Sequence, residues 1–428
     1  MAAAQGDGLT QAHAQVKLFT KLKRYAAAKS TFSLPGETGC AELSKILISS
    51  LQSHDLLDDA SDPEFDFLIN GELLRTTIAQ FMESKEISTE EVVGVEFILK
   101  QPSPSPEQSI LHNDWVSCVQ GNSKYILSGS YDHTVKIHTY EGTELLTLPA
   151  HSAPVTCLSW ISSGDNTYSF VTGSHDQLLH VWQWETDTNS IKCLYKCSGH
   201  AFALSSVVTS PDNLQFASVS RDKMLKIWTL DDRGVNVNTD DEGAPSKKRK
   251  SNEAQSKVPI ITLAGHSEGI MGVCWKAMSN IVTAGLDHTI RIWNLETQTN
   301  TQTITSSKAI LSLDCSPVSG RFLTGSSDRH VRLWDHRVKD SSMVIGNFSS
   351  HTGWVSSVFW SQDNENLFIS GSYDNLAKLW DVRSPKTPLY DLTGHSDKVM
   401  AVDWSCPSYM LSGGADNSLN IFSYKASQ

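Results

Sequence analysis

From about residue 105 to residue 424 the chain alternates in short bursts of apolar and polar positions. An apolar run leads to a second run ending in Ser/Thr-Gly-Ser or a close variant. An Asp follows, and a third run closes on an aromatic residue. Runs this short, separated by turn residues, predict β-strands rather than helices. Anchored on the Asp, the unit occurs seven times, at Asp132, Asp176, Asp222, Asp287, Asp328, Asp374 and Asp416, with spacings of 44, 46, 65, 41, 46 and 42 residues. Four residues before each Asp stands a hydroxyl: Ser128, Thr172, Ser218, Thr283, Thr324, Ser370 and Ser412. Six residues after it stand His138, Trp182, Trp228, Trp293, Trp334, Trp380 and Phe422. A His lies 20–25 residues upstream in six copies, at His112, His151, His200, His266, His351 and His395, whereas the fifth has Ser306-Ser307 there.

The offsets have a physical reading. An Asp at a β-turn can orient an imidazole, the imidazole can bond a hydroxyl, and the hydroxyl can accept an indole N–H, so every buried polar group has a partner. Four complete sets are predicted: His151, Thr172, Asp176, Trp182; His200, Ser218, Asp222, Trp228; His266, Thr283, Asp287, Trp293; and His351, Ser370, Asp374, Trp380. The first, fifth and seventh copies lack a member, which predicts weaker polar clamps there. One four-stranded unit cannot cover its own faces, and radial stacking of such units lets each bury its neighbours. The seventh copy ends at its third strand, so its fourth must come from elsewhere. Gln108–Leu111 is the natural donor, and pairing there joins the two ends of the ring and removes an open edge. Asp, His and Ser repeat in nearly every copy, which reads as a packing device and not as a set of catalytic triads. No P-loop, G-x-S-x-G, H-E-x-x-H or kinase signature is present, and the chain reads as no enzyme.

The first hundred residues follow a different pattern. Gln15–Lys21 and Ser30–Leu34 read as strands. Thr38–Leu51 reads as a helix carrying Leu43, Ile46, Leu47 and Leu51, with Thr38 as its N-cap. Phe65–Ile69 and Leu73-Leu74 read as strands around the turn Asn70-Gly71, Thr77–Met82 as a helical turn, and Glu91–Leu99 as a closing strand. This order is that of a β-grasp domain. The organisation expected is a disordered stretch at 1–14, an α+β ubiquitin-like domain at 15–100, a linker at 101–107 and a seven-bladed propeller at 108–424. The protein is thus mainly β.

The long spacing between the third and fourth units adds about 20 residues and maps to 231–257, a polar segment expected to be disordered. Within it Lys247, Lys248, Arg249 and Lys250 read either as a nuclear-import signal or as a solvated charge run, with RNA contact a lesser reading. The net charge of −12 argues against broad phosphate binding as the main activity. No apolar run is long enough for a membrane helix, the first residues lack the pattern of a secretory signal, and no membrane association is expected. Only Cys193 and Cys197 sit close together, and no second pair completes a zinc set, so all eight cysteines read as reduced thiols of a nucleo-cytoplasmic protein.

Over 105–424 the sequence resembles the WD-repeat family. The stretch FDFLINGELLRTTIAQFMESKEISTEEVVGVEF resembles the ubiquitin-like domain that precedes the propeller in two ribosome-assembly families, the WD-repeat protein 12 family and Notchless. Seven units, a basic loop after the third, and the strings SHTGWVSSV and SGGADNSLNIFSY are similar to the first family; Notchless proteins carry an eight-bladed ring. The resemblance implies a non-catalytic scaffold of the nucleolus and nucleoplasm. It would join pescadillo and the block-of-proliferation protein in the PeBoW complex, for large (60S) subunit biogenesis and pre-rRNA processing. It further implies that the ubiquitin-like domain binds the metal-ion-dependent adhesion site of midasin, an AAA ATPase that releases the complex from the pre-60S particle. The family's contact Glu, matched through ISTEEVV, falls on Glu90, with Glu91 as the neighbouring alternative. Its carboxylate would complete a metal site owned by midasin, so this chain needs no metal or cofactor of its own. Read without the family, Glu90 is a solvated acid.

Propellers meet partners through turns at one end of the ring. Residues three past the His and one before the Asp lie in those turns, and two copies place aromatics there: Trp115 with Tyr131, and Trp354 with Tyr373. These are candidate partner contacts, the other reading being that Trp115 and Trp354 fold back over their blades. Alternative functions are a substrate receptor of a ubiquitin ligase, a Notchless-type assembly factor, and a hydrolase on a propeller scaffold. The last requires a non-repeating carboxylate cluster that the sequence does not show.

Overall fold

The computed structural model describes residues 13–25, 31–53, 56, 63–88, 91–164, 166–230, 254–338 and 343–425. A first compact unit is built on the chain up to Pro102, and a second takes most of the chain from Ser103 onward. In the first, β1 (His13–Phe19) turns Ala14, Val16 and Leu18 inward at every second position. It pairs antiparallel with β2 (Thr31–Pro35). Helix α1 (Cys40–Ser53) buries Leu43, Leu47 and Leu51, one face at four-residue spacing. Then come β3 (Phe65–Ile69), β4 (Glu72–Leu73), α2 (Ile78–Ser84) and β5 (Val92–Leu99). The sheet order is β2-β1-β5-β3-β4, with β1 and β5 parallel. Phe65, Phe67 and Phe97 fill the space against α1.

Three boundaries differ from those expected. β1 starts at His13, inside the stretch assigned to disorder, because Ala14 is already needed in the core. Thr38 does not cap α1. Its hydroxyl donates to the carbonyl of Pro35 at 2.6 Å, and the N–H of Gly39 is taken by Glu42 at 2.5 Å. Thr77 instead caps α2, in a reciprocal capping box with Gln80.

Among the described residues the second unit forms seven sheets, one per sequence unit, each with an antiparallel core of four strands. Strand β6 (Ser105–Leu111) supplies the outer strand of the seventh sheet, pairing antiparallel with Ser418–Ser423. It begins inside the segment expected to be a linker. The excursion after the third unit also ends sooner than expected. Gln255–Lys257 forms a fifth strand on the second sheet, parallel to Tyr195–Cys197. The Nζ of Lys257 lies 3.6 Å from the centre of the Tyr195 ring and donates to the carbonyl of Thr229 at 3.0 Å. Residues 231–253, with the basic cluster Lys247, Lys248, Arg249 and Lys250, lie outside the described residues.

The Gly of the Ser/Thr-Gly-Ser signature has a packing cause. A Cβ on Gly129, Gly325 or Gly371 would stand 2.8 Å from Cγ1 of Val155, Val355 or Val399 in the next blade, and one on Gly413 would stand 2.6 Å from Cγ1 of Val116. The last contact joins blade 7 to blade 1 and closes the ring. A second closure bond runs from the N–H of Gly121 to Asp403 at 2.8 Å.

Candidate functional site

The turns at one end of the ring are held by the repeated polar sets. In blade 3, the Nε1–H of Trp228 donates to Ser218 (2.8 Å), Ser218 bonds Nε2 of His200 (2.8 Å), and Nδ1 of His200 bonds Asp222 (2.7 Å). Blades 2, 4 and 6 repeat this. His151, His266 and His351 lie 3.0, 2.8 and 2.8 Å from Asp176, Asp287 and Asp374. They lie 2.9, 2.8 and 2.8 Å from Thr172, Thr283 and Ser370. Trp182, Trp293 and Trp380 donate to those hydroxyls at 3.0, 2.8 and 2.8 Å. Each Asp also accepts the N–H of the residue after the His and that of the residue two places after itself, as Asp222 does from Ala201 and Met224. One carboxylate therefore fixes two loops. Burial acts to raise Asp176 and Asp374, but the hydrogen bonds from His151 and His351 and from backbone N–H groups outweigh it and hold both carboxyls at about 2.

The three incomplete sets diverge. In blade 7, His395 keeps its bonds to Asp416 (3.0 Å) and Ser412 (2.8 Å), with Phe422 in place of an indole. Blade 5 substitutes chemically for its missing His. The guanidinium of Arg332 donates to both oxygens of Asp328 and, at 3.1 Å, to Ser326. The clamp expected to be weak is thus a bidentate ion pair. In blade 1, His112 bonds Ser128 at 2.9 Å, but Oδ2 of Asp132 and both ring nitrogens of His138 have no partner among the described residues.

Clamped in this way, the two turn positions meet in all seven blades. The N–H one residue before the Asp donates to the carbonyl three residues past the His position: Tyr131 to Trp115, His175 to Pro154, Arg221 to Ala203, Leu286 to Gly269, Ser327 to Ala309, Tyr373 to Trp354 and Ala415 to Lys398, at 2.8–3.2 Å. The side chains at these positions therefore set the surface chemistry of that end. Trp115 and Trp354 remain 41% and 52% exposed, so neither is folded away over its blade. Trp115 packs on Tyr131 at 5.4 Å and Trp354 stacks on Tyr373 at 5.9 Å. Lys398 lies over the Tyr373 ring and His175 against Tyr131. Burial raises the phenols of Tyr131 and Tyr373, and Arg221 opposes this in both. Burial and the same Arg221 lower His175. Residues of blades 1, 2, 3 and 6 thus share one field across the ring mouth. His175 and the exposed Phe202 were not singled out by the sequence, although His175 occupies the same pre-Asp position as Tyr131. Glu90 lies outside the described residues, and Glu91 opens the bend leading into β5.

A family model for the NLE (NUC135) domain matches residues 14–82. The model for the WD domain, G-beta repeat, matches seven segments: 105–139, 142–183, 191–229, 257–294, 298–335, 342–381 and 386–423. The ribosome biogenesis protein WDR12 homolog of Ixodes scapularis is 43% identical over 421 residues, 97% of this chain and 99% of the tick protein. Its namesake in Anopheles gambiae is 40% identical over 420 residues, 96% and 95% of the two chains. The chain belongs to the WDR12 family. The NLE match lies in the first compact unit and the seven WD matches lie almost entirely in the second.

Proposed function

We propose that this WDR12-family chain is a non-catalytic scaffold in assembly of the large ribosomal subunit, acting in the nucleolus and nucleoplasm. Likeness along nearly the whole chain to proteins named for ribosome biogenesis carries this reading. The repeated Asp–His–hydroxyl sets support a scaffold: their His side chains are almost fully buried, and their polar atoms are spent on turns rather than presented to a substrate. In this reading the ring holds pescadillo and the block-of-proliferation protein, with Trp115, Tyr131, Trp354 and Tyr373 as aromatic anchors at its mouth. Glu90 offers a carboxylate oxygen to the divalent cation in the adhesion site of midasin, which then releases the complex from the pre-60S particle. Lys247, Lys248, Arg249 and Lys250 direct nuclear import.

Affinity purification from cells is expected to recover pescadillo and midasin; recovery of cullin-associated adaptors instead would establish a ubiquitin-ligase receptor. Glu90→Ala and Glu90→Asp are expected to lose midasin while keeping the trimer, and wild-type binding by both would remove Glu90 from the contact. Replacing all four basic residues by Ala is expected to reduce nuclear accumulation, and unchanged localisation would rule out the import reading.

A further inference from the structure

The opposite end of the ring carries a different chemistry. There the described turns between first and second strands, and between third and fourth, carry Glu141, Asp187, Asp212 and Asp363, with Lys124, Arg383 and Lys386 as basic members. In blades 4 and 5 the basic residues stand together. Lys276, near the end of strand Ile270–Ala277, Arg321, just before strand Phe322–Ser326, and Arg337, just after strand Val331–Trp334, bring three cations to neighbouring turns. One buried carboxylate, Asp335, serves them. Both its oxygens are taken by Arg337, at 2.9 Å each, while the Nε of Arg321 stands 3.8 Å away. That Nε has no hydrogen-bond partner among the described residues, nor has Nδ1 of His336. The imidazole of His336 lies flat on Phe322 at 5.3 Å and accepts at Nε2 from the Lys276 ammonium at 2.7 Å. Burial lowers both Lys276 and His336; on Lys276 Cys315 and Asp335 oppose it while Arg337 adds to it, and on His336 Lys276 and Arg337 add to it while Asp335 opposes. Among the described residues the cluster thus gathers three cations around one carboxylate, whose two oxygens are already bonded by Arg337. Met278 and Val318 stand exposed on the adjoining turns.

We propose that Lys276, Arg321 and Arg337 form a docking site for the phosphate backbone of RNA on the face of the ring away from the Asp turns. Guanidinium and ammonium groups bond phosphate oxygens without reading sequence, and the exposed Met278 and Val318 give apolar edges for a sugar or base. Asp212 and Asp363, in first-to-second-strand turns of the flanking blades 3 and 6, restrict it to a short stretch of strand, which is compatible with a chain of net charge −12. The choice of RNA over other polyanions rests on the ribosome-assembly reading.

The test uses the full-length protein with Lys247–Lys250 replaced by Ala, so that the basic loop does not contribute. Binding of a fluorescein-labelled uridine oligonucleotide of about twenty nucleotides is followed by anisotropy across a salt series. Lys276→Gln combined with Arg321→Gln leaves the Arg337–Asp335 pair intact. It is expected to weaken binding roughly tenfold and to make the salt dependence shallower by about 1.4 in log–log slope, the share of two phosphate contacts on a single strand. Asp335→Asn removes the carboxylate that pairs with the cluster among the described residues while leaving an oxygen for Arg337, and is expected to tighten binding severalfold. Unchanged affinity in both variants overturns the proposal. So does displacement of the RNA by polyglutamate as readily as by unlabelled oligonucleotide, which would mark the cluster as a site for acidic protein. The assembly reading fails separately: a chain that recovers no pre-ribosomal partner from cells, yet binds RNA through these residues, loses that reading and keeps the site.

Discussion

Asp222 and Asp132 hold the same place in the repeat, yet their surroundings use them differently. Asp222 ties His200, Ala201 and Met224 together, whereas the Asp132 carboxylate bonds Thr134 through Oδ1 and leaves Oδ2 without a partner among the described residues. Asp222→Ala is expected to cost about 2–4 kcal/mol in urea denaturation and Asp132→Ala only about 1 kcal/mol. Equal losses would show that the network does not set the stability of these turns. His138 makes a sharper case. Its ring is fully buried beside His112, and burial, assisted by His112, lowers it to about 4. The folded state resists protonation while the unfolded chain takes up its proton near 6.5. This residue therefore lowers stability progressively as pH falls from about 6.5 to about 4. His138→Phe is expected to raise the melting temperature at neutral pH, and by more at pH 5. A gain independent of pH would show that the imidazole is not held neutral.

At the scale of the strand, the ring depends on two devices, the close approach at the signature glycines and the shared seventh sheet. Gly371→Val would press against Cγ1 of both Val399 and Val402, 2.8 Å from the position of a Cβ, and is expected to cost about 1–3 kcal/mol by overpacking. A variant as stable as wild type would mean that the blades can slide apart freely. For closure, a chain starting at Ser103 retains β6 and one starting at His112 lacks it. The shorter one bares the edge of Ser418–Ser423 and is expected to melt several degrees lower and to aggregate more readily. Identical melting curves would show that β6 is dispensable.

Across the whole molecule, polar bonds near the inner strands run from blade to blade. Asp314 of blade 5 accepts the N–H of Trp360 in blade 6 at 2.7 Å, and Asp403 of blade 7 accepts that of Gly121 in blade 1. Burial pushes these carboxyls up to about 7 and about 6. Each stays protonated in the fold where the unfolded chain has ionised, so its contribution is full below about 4 and declines as pH rises toward those values. The buried histidines His112, His138 and His180, all lowered to about 4 chiefly by burial, act in the opposite sense between about 4 and 6.5. The two opposing slopes flatten the pH profile. Asp314→Asn is expected to make the melting temperature climb more steeply from pH 4 to pH 7 than in wild type, and an unchanged profile would show that Asp314 does not titrate in that range.

The sequence by itself determined the number of blades, the four complete polar sets and the positions facing the ring mouth. Each blade presents nearly the same environment, so the same residue types recur at the same offsets, and local spacing is enough to read them. It also indicated the donor of the last strand, because an unfilled seventh unit leaves few candidates. Only the tertiary structure decided what has no periodic signature. Arg332 replaces an imidazole because its long side chain reaches Asp328 from a different backbone position. Gln255–Lys257 joins the sheet of the preceding blade because an open strand edge lies beside its path. The basic cluster of blades 4 and 5 gathers residues some sixty positions apart that mean nothing until the turns stand side by side. Repetition writes itself into a sequence; proximity between unrelated turns exists only once the ring has closed.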